Sequence, residues 1–189
     1  TKDIQNPWDH IVYFFGYISW VLVILAPELI FVFGGSKYKE AVYLVAPMVT
    51  GTLFRFFSYS FSAVENYQKK TFFSALGSVV AMLSNIILNY LAIRYIGYKA
   101  VAHTTTISYF MLIIFQGFLE KTVCGMRCVS LKKIILQSVF FWMINEATIL
   151  TYTLPFYFRW IILIIVSLTV LWKMWSQLNE LWIKLRRKK

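Results

Sequence analysis

The chain has 189 residues, of which 59% are hydrophobic, 19% aromatic and only 14% charged, and it carries a formal net charge of +11. So apolar a composition excludes an ordinary soluble domain, because water would be a poor solvent for its outside. Nucleic-acid binding is excluded too: the basic residues lie between and after apolar runs, as the positive-inside rule places them, and form no stripe interleaved with stacking aromatics.

Residues 1–10 are polar, contain Pro7 and lack the basic start, short apolar centre and small-residue cleavage site of a signal peptide, so they read as a linker or the cut edge of a longer protein. A first span is expected from Ile11 to Phe33, with Pro27 and Glu28 in its last turns and Gly34, Gly35 and Ser36 as its stop. The run GGSK lacks the spacing and preceding strand of a phosphate loop. A second span, Ala41 to Thr71, carries Gly51, Arg55, Ser58, Ser62 and Glu65 at alternating spacings of four and three, which puts them on one helix face. Arg55 falls about halfway along it, where an arginine costs about 2.5 to 3.5 kcal/mol, so it should face protein or water.

The third span, Phe72 to Ile93, aligns Ser74, Ser78, Asn85 and Asn89, while Gly77 and Ala81 form a small-xxx-small pair suited to close helix approach. The asparagines have two readings: contacts to a ligand's hydroxyls, or interhelical hydrogen bonds that lock the bundle. The fourth span, Ala100 to Leu119, opens on His103 and three threonines, Thr104 to Thr106, whose hydroxyls can bond back to carbonyls of their own helix. Residues 120–133 form a cytoplasmic loop holding Cys124 and Cys128. A C-x3-C pair with no second pair or nearby histidine gives no metal site, and the thiols are expected to be reduced. The fifth span, Ile134 to Leu154, places Asn145 and Glu146 near mid-membrane, Glu146 being either paired with a basic group or protonated. The sixth, Phe156 to Gln177, carries Arg159 and the belt tryptophans Trp160, Trp172 and Trp175. Residues 179–189 form a basic tail, WIKLRRKK at its end, suited to anionic headgroups.

The fold expected is an all-α polytopic membrane bundle of six transmembrane helices. Alternating spans put Lys2, Lys69, Lys70, Lys121, Arg127, Lys132, Lys133 and the tail on one side, and the smaller set Lys37, Lys39, Arg94, Lys99 and Arg159 on the other. The positive-inside rule makes the first side, with both ends of the chain, cytoplasmic. No HExxH, no GxSxG and no acid pair on a wet face is present, so transport fits better than chemistry, with no cofactor and no metal called for.

Three stretches carry a family resemblance: APELIFVFGGSKYKEAVYL from Ala26, VENYQKKTFF from Val64, and NIILNYLAIRYIGYKAVAHTTTISY from Asn85. The region from Leu25 to Leu119 resembles the C-terminal half of the Wzx-type flippases, in the polysaccharide-transporter branch of the superfamily that also holds the multidrug and toxin extruders. Ala100 and His103 depart from that pattern. The resemblance implies a two-lobe transporter of the cytoplasmic membrane, with residues 11–119 as the four-helix core of its C-terminal lobe and residues 134–178 as two added helices. The partners implied are the N-terminal lobe missing from this sequence, membrane lipids and other polysaccharide-assembly proteins. The implied substrate is an undecaprenyl-diphosphate-linked oligosaccharide, flipped during O-antigen, capsule or exopolysaccharide assembly.

A diphosphate headgroup crossing hydrocarbon needs a wet, cationic path, and Arg55 is suited to bidentate phosphate pairing. Ser58, Tyr59, Ser62, Asn85 and Asn89 are then the sugar contacts, and Lys69 and Lys70 gather the headgroup at the cytoplasmic end. Other readings stay open at this point: Arg55 as a structural partner of Glu146 or Glu65, a multidrug antiporter of the same superfamily, a membrane-embedded glycosyltransferase or polymerase, and a scaffold of an assembly complex.

Overall fold

The computed structural model describes the backbone of residues 2–124 and 130–186 and the side chains of residues 8–123 and 130–172. Arg127 and Cys128, and the side chains of Trp175 and the basic tail, therefore lie outside what is described. Helices and short turns account for all that is described, with no strand among those residues. In order they are α1 (Lys2–Ile24), α2 (Ala26–Gly34), a 3-10 turn (Ser36–Ala41), α3 (Val42–Tyr67), α4 (Thr71–Tyr95), a second 3-10 turn (Tyr98–Ala100), α5 (Val101–Leu119), a π-helical turn (Glu120–Cys124), α6 (Leu131–Ile149), a third 3-10 turn (Leu150–Thr153) and α7 (Phe156–Arg186). Two compact units result, Thr1–Ile149 with α1 to α6, and Leu150–Lys189 with α7.

Four helical stretches are long and apolar enough to cross a bilayer: Ser36–Tyr67, Thr71–Tyr95, Tyr98–Val123 and Leu131–Thr153. Helices satisfy every backbone polar group internally, so an apolar chain of this kind has no other open-ended way to span lipid. The chain is thus built as a multi-pass membrane protein. A fifth span exists if Trp8–Ile24 and Ala26–Gly34 are counted as one, and these two are bent by 59°. The expected single helix from Ile11 to Phe33 is therefore broken. Pro27 has no N–H to donate and its ring crowds the preceding turn, so it stands in the first turn of a new helix rather than in the last turns of an old one. In α7 the described apolar stretch is Phe156–Trp172, shorter than a span.

Within the first unit α3 is central, and it packs most extensively on α5, which in turn packs on α4. Its buried face presents Leu53, Phe54, Phe57 and Phe61 to Val12 of α1, Ile113 of α5, and Ile134 and Phe141 of α6. Gly16 of α1 lies directly against the Phe141 ring, leaving no room for a Cβ. The approach of α4 to α5 works differently, through small residues: the buried positions of α4 are Gly77, Ala81 and Ala92, the first two being the small-xxx-small pair read from sequence. A Cβ on Gly77 would lie 3.0 Å from the Gln116 side chain. With so little bulk between them the two backbones come close enough for short polar side chains to reach across.

Candidate functional site

The polar face of α3 runs alongside α5 in parallel, in a register that repeats. Gly51 meets Thr106, Arg55 meets Tyr109, Ser62 accepts a hydrogen bond of 2.9 Å from Gln116 Nε2, and the buried carboxyl of Glu65 faces that of Glu120. Parallel alignment follows from the intervening α4, which returns the chain across the bundle before α5 sets out again. Thr106 also donates 2.5 Å to the Pro47 carbonyl and 3.3 Å to that of Ala102, so the hydroxyl that bonds back to its own helix also fastens α3.

Arg55 stands at the exposed edge of this face, near the middle of the 26-residue α3. Its Nε donates to the Tyr59 hydroxyl at 3.2 Å and its Nη1 to the Tyr109 hydroxyl at 3.4 Å. The guanidinium carbon lies 6.0 Å from the Tyr59 ring centroid and 5.6 Å from that of Tyr109, within cation–π range of both. Among the described residues no carboxylate pairs with it, and its hydrogen-bond partners are the two tyrosine hydroxyls. Neither carboxylate expected as a partner reaches it: Glu146 lies 3.6 Å from His103 Nδ1, and Glu65 is buried facing Glu120 with no hydrogen-bond partner on either oxygen. A guanidinium has five N–H donors, and two are used here. The tyrosine oxygens act as acceptors toward Arg55, which leaves each hydroxyl hydrogen for another acceptor.

Asn85 and Asn89 are occupied instead. Asn85 Nδ2 donates to Thr105 Oγ1 at 3.2 Å, Asn89 Nδ2 donates to Asn85 Oδ1 at 2.9 Å, and Thr104 donates to Asn89 Oδ1. The threonines also return to the Val101 carbonyl, at 2.8 Å from Thr104 and 3.1 Å from Thr105. This ladder joins α4 to α5. It lies one turn along α5 from Tyr109, since Thr105 and Tyr109 are four residues apart on one helix face.

The other residues chosen from sequence separate. Ser58 is buried and donates to the Arg55 carbonyl at 2.7 Å, so it serves its own helix. Lys70 Nζ donates to the Val123 carbonyl at 2.6 Å and so caps the turn that follows α5. Lys69 is exposed and holds a left-handed backbone (φ 59°) in the α3–α4 turn. The structure therefore brings Arg55 and Tyr59 together, adds Tyr109, and leaves the lysines at the helix ends.

Two features escaped sequence reasoning. Tyr109 is a partner of Arg55 that no local spacing reveals, because the pair depends on the α3–α5 register. Asn145 of α6, fully buried, donates to Thr50 Oγ1 at 2.9 Å and to Ser19 Oγ at 3.4 Å, tying α1, α3 and α6 at one point. Its mid-span position was legible, but its partners were not. No three His, Cys, Asp or Glu side chains converge as metal ligands among the described residues. No protein-family model, no curated protein and no solved structure matches the chain.

Proposed function

We propose that the chain is one lobe of a membrane flippase that carries a lipid-linked oligosaccharide by its anionic diphosphate headgroup, in the manner of the Wzx-type transporters it resembles. The observation that carries this reading is Arg55: a permanent charge at the middle of a span, exposed, without a carboxylate partner among the described residues and with donors to spare. Such a group on a lipid-facing surface costs about 2.5 to 3.5 kcal/mol, a cost that a wet path with a passing anion removes. Tyr59 and Tyr109 hold the guanidinium by its Nε and Nη1, and their own O–H groups are free to turn toward the same phosphate. A diphosphate would meet a fork of N–H donors flanked by two hydroxyls.

The N-terminal lobe then covers the Arg55 face from the other side of the path, and the membrane is the cytoplasmic one, with both ends of this chain inside by its charge distribution. A fifth span formed by the bent α1–α2 pair and a sixth by α7 complete the six-helix lobe in this reading. The positive centre favours an anionic cargo over the cationic cargo of a multidrug antiporter.

The test uses the intact gene product. Arg55→Ala, at normal membrane level, is expected to lower surface polysaccharide sharply and to accumulate lipid-linked oligosaccharide on the cytoplasmic leaflet, with Arg55→Lys restoring part of the flux. Unchanged surface polysaccharide in Arg55→Ala would make Arg55 a packing residue and remove the support for this reading.

A further inference from the structure

At the end of the bundle where α3 and α5 begin, the two 3-10 turns enclose an open recess of about 480 Å³ lined by Lys37, Tyr38, Lys39, Glu40, Tyr98 and Lys99. The turns are joined across it by the Lys99–Glu40 ion pair at 2.7 Å. That pair uses the recess's one carboxylate, so Lys37 and Lys39 stand beside it with no protein partner among the described residues. The hydroxyls of Tyr38 and Tyr98 likewise make no hydrogen bond among the described residues, and both rings are exposed.

The same elbow continues into apolar surface. Phe31, Val32 and Phe33, the last side chains of α2 before Gly34, are all strongly exposed. Successive helical residues point about 100° apart, so three exposed in a row leave this end of α2 open on more than one side among the described residues. The ring of Tyr38 lies against Gly34, which makes the exposed end of α2 and the recess one continuous surface.

We infer that this elbow is a binding site for an anionic phospholipid, with the phosphate of its headgroup between Lys37 and Lys39 and its acyl chains along Phe31, Val32 and Phe33. Two ammonium groups and two phenolic donors match a phosphate and a glycerol hydroxyl headgroup. The apolar end of α2 matches chains that begin directly beneath it, as at other interfacial segments where basic and apolar residues adjoin. A phosphorylated sugar in water offers the same headgroup chemistry but has nothing to place on α2. The site is separate from Arg55 and stands whether or not the protein is a flippase.

Native mass spectrometry of the detergent-purified full chain, offered phosphatidylglycerol, phosphatidylcholine or glycerol 1-phosphate, tests this. The first retained lipid is expected to be phosphatidylglycerol in preference to phosphatidylcholine, and glycerol 1-phosphate at equal concentration is expected not to displace it. Lys37→Ala/Lys39→Ala should weaken that retention roughly 25-fold, about five-fold for each basic residue, while Lys37→Arg/Lys39→Arg retains it. Removing the same charge at the opposite end, Lys121→Ala/Lys132→Ala, should leave the first lipid in place. Equal retention of the two lipids by the unmodified chain, wild-type retention by the alanine pair, or equal losses from the two ends would overturn the site. Displacement by glycerol 1-phosphate would assign it to a water-borne phosphate and overturn the lipid.

Discussion

Arg55 on α3 and the Asn85–Asn89 pair on α4 are the two strongest polar signals in apolar helices; substrate contact was one reading of each, with interhelical hydrogen bonds the other reading of the asparagines. They lie one turn of α5 apart, yet their surroundings are opposite. Asn85 and Asn89 hydrogen-bond each other and the hydroxyls of Thr105 and Thr104, a half-buried ladder between α4 and α5. Arg55 spends two donors on tyrosine oxygens and keeps the rest. Polarity in an apolar helix is thus spent here in two ways: on hydroxyls of a neighbouring helix, where it binds the two together, and on tyrosine oxygens at an exposed edge, where further donors stay open.

The largest effect should come from the open member of the pair. On the proposed function, Arg55→Ala is expected to lower the turnover of lipid-linked oligosaccharide roughly 30- to 150-fold, from the loss of about 2 to 3 kcal/mol of charge-assisted hydrogen bonding, with little change in thermal midpoint. Asn89→Ala should show the reverse. One bond to α5 and one within α4 vanish, so unfolding in micelles becomes easier by about 1 kcal/mol, while turnover per folded molecule holds. Abolished turnover in Asn89→Ala at matched stability would collapse the distinction between the two regions.

Smaller changes sharpen it. Tyr59→Phe/Tyr109→Phe keeps both rings over the guanidinium and removes both hydroxyls. It should weaken substrate affinity by about 1 kcal/mol, read as a rise in half-saturating substrate at constant maximal rate. The smallest effect belongs to a double-mutant cycle between Asn85→Ala and Thr105→Val, where a coupling of about 0.6 kcal/mol in unfolding free energy is expected. Zero coupling would mean that the 3.2 Å contact adds nothing to helix association.

Much of the first unit was legible in the sequence. The apolar length of the stretches that became α3, α4, α5 and α6, the polar face of α3 and the Gly77–Ala81 contact follow from hydropathy and a 3.6-residue period, both local properties. The bent first span was less legible, because Pro27 fits either the last turn of one helix or the first turn of the next, and the bend of 59° belongs to the second choice. Arg55 was legible as an anomaly, but its partner was not: Glu146 and Glu65 were the electrostatically sensible choices, and the structure gives it Tyr59 and Tyr109.

The sequence by itself therefore determined that this is an all-helical, multi-pass membrane chain with a charge in the middle of one span, because a hydrocarbon solvent admits few folds and local periodicity displays the buried and polar faces. Only the tertiary structure decided which polar groups are spent and which remain open. That outcome depends on the parallel register of α3 and α5, set by close packing across residues some 54 positions apart, and no local pattern encodes a contact of that reach.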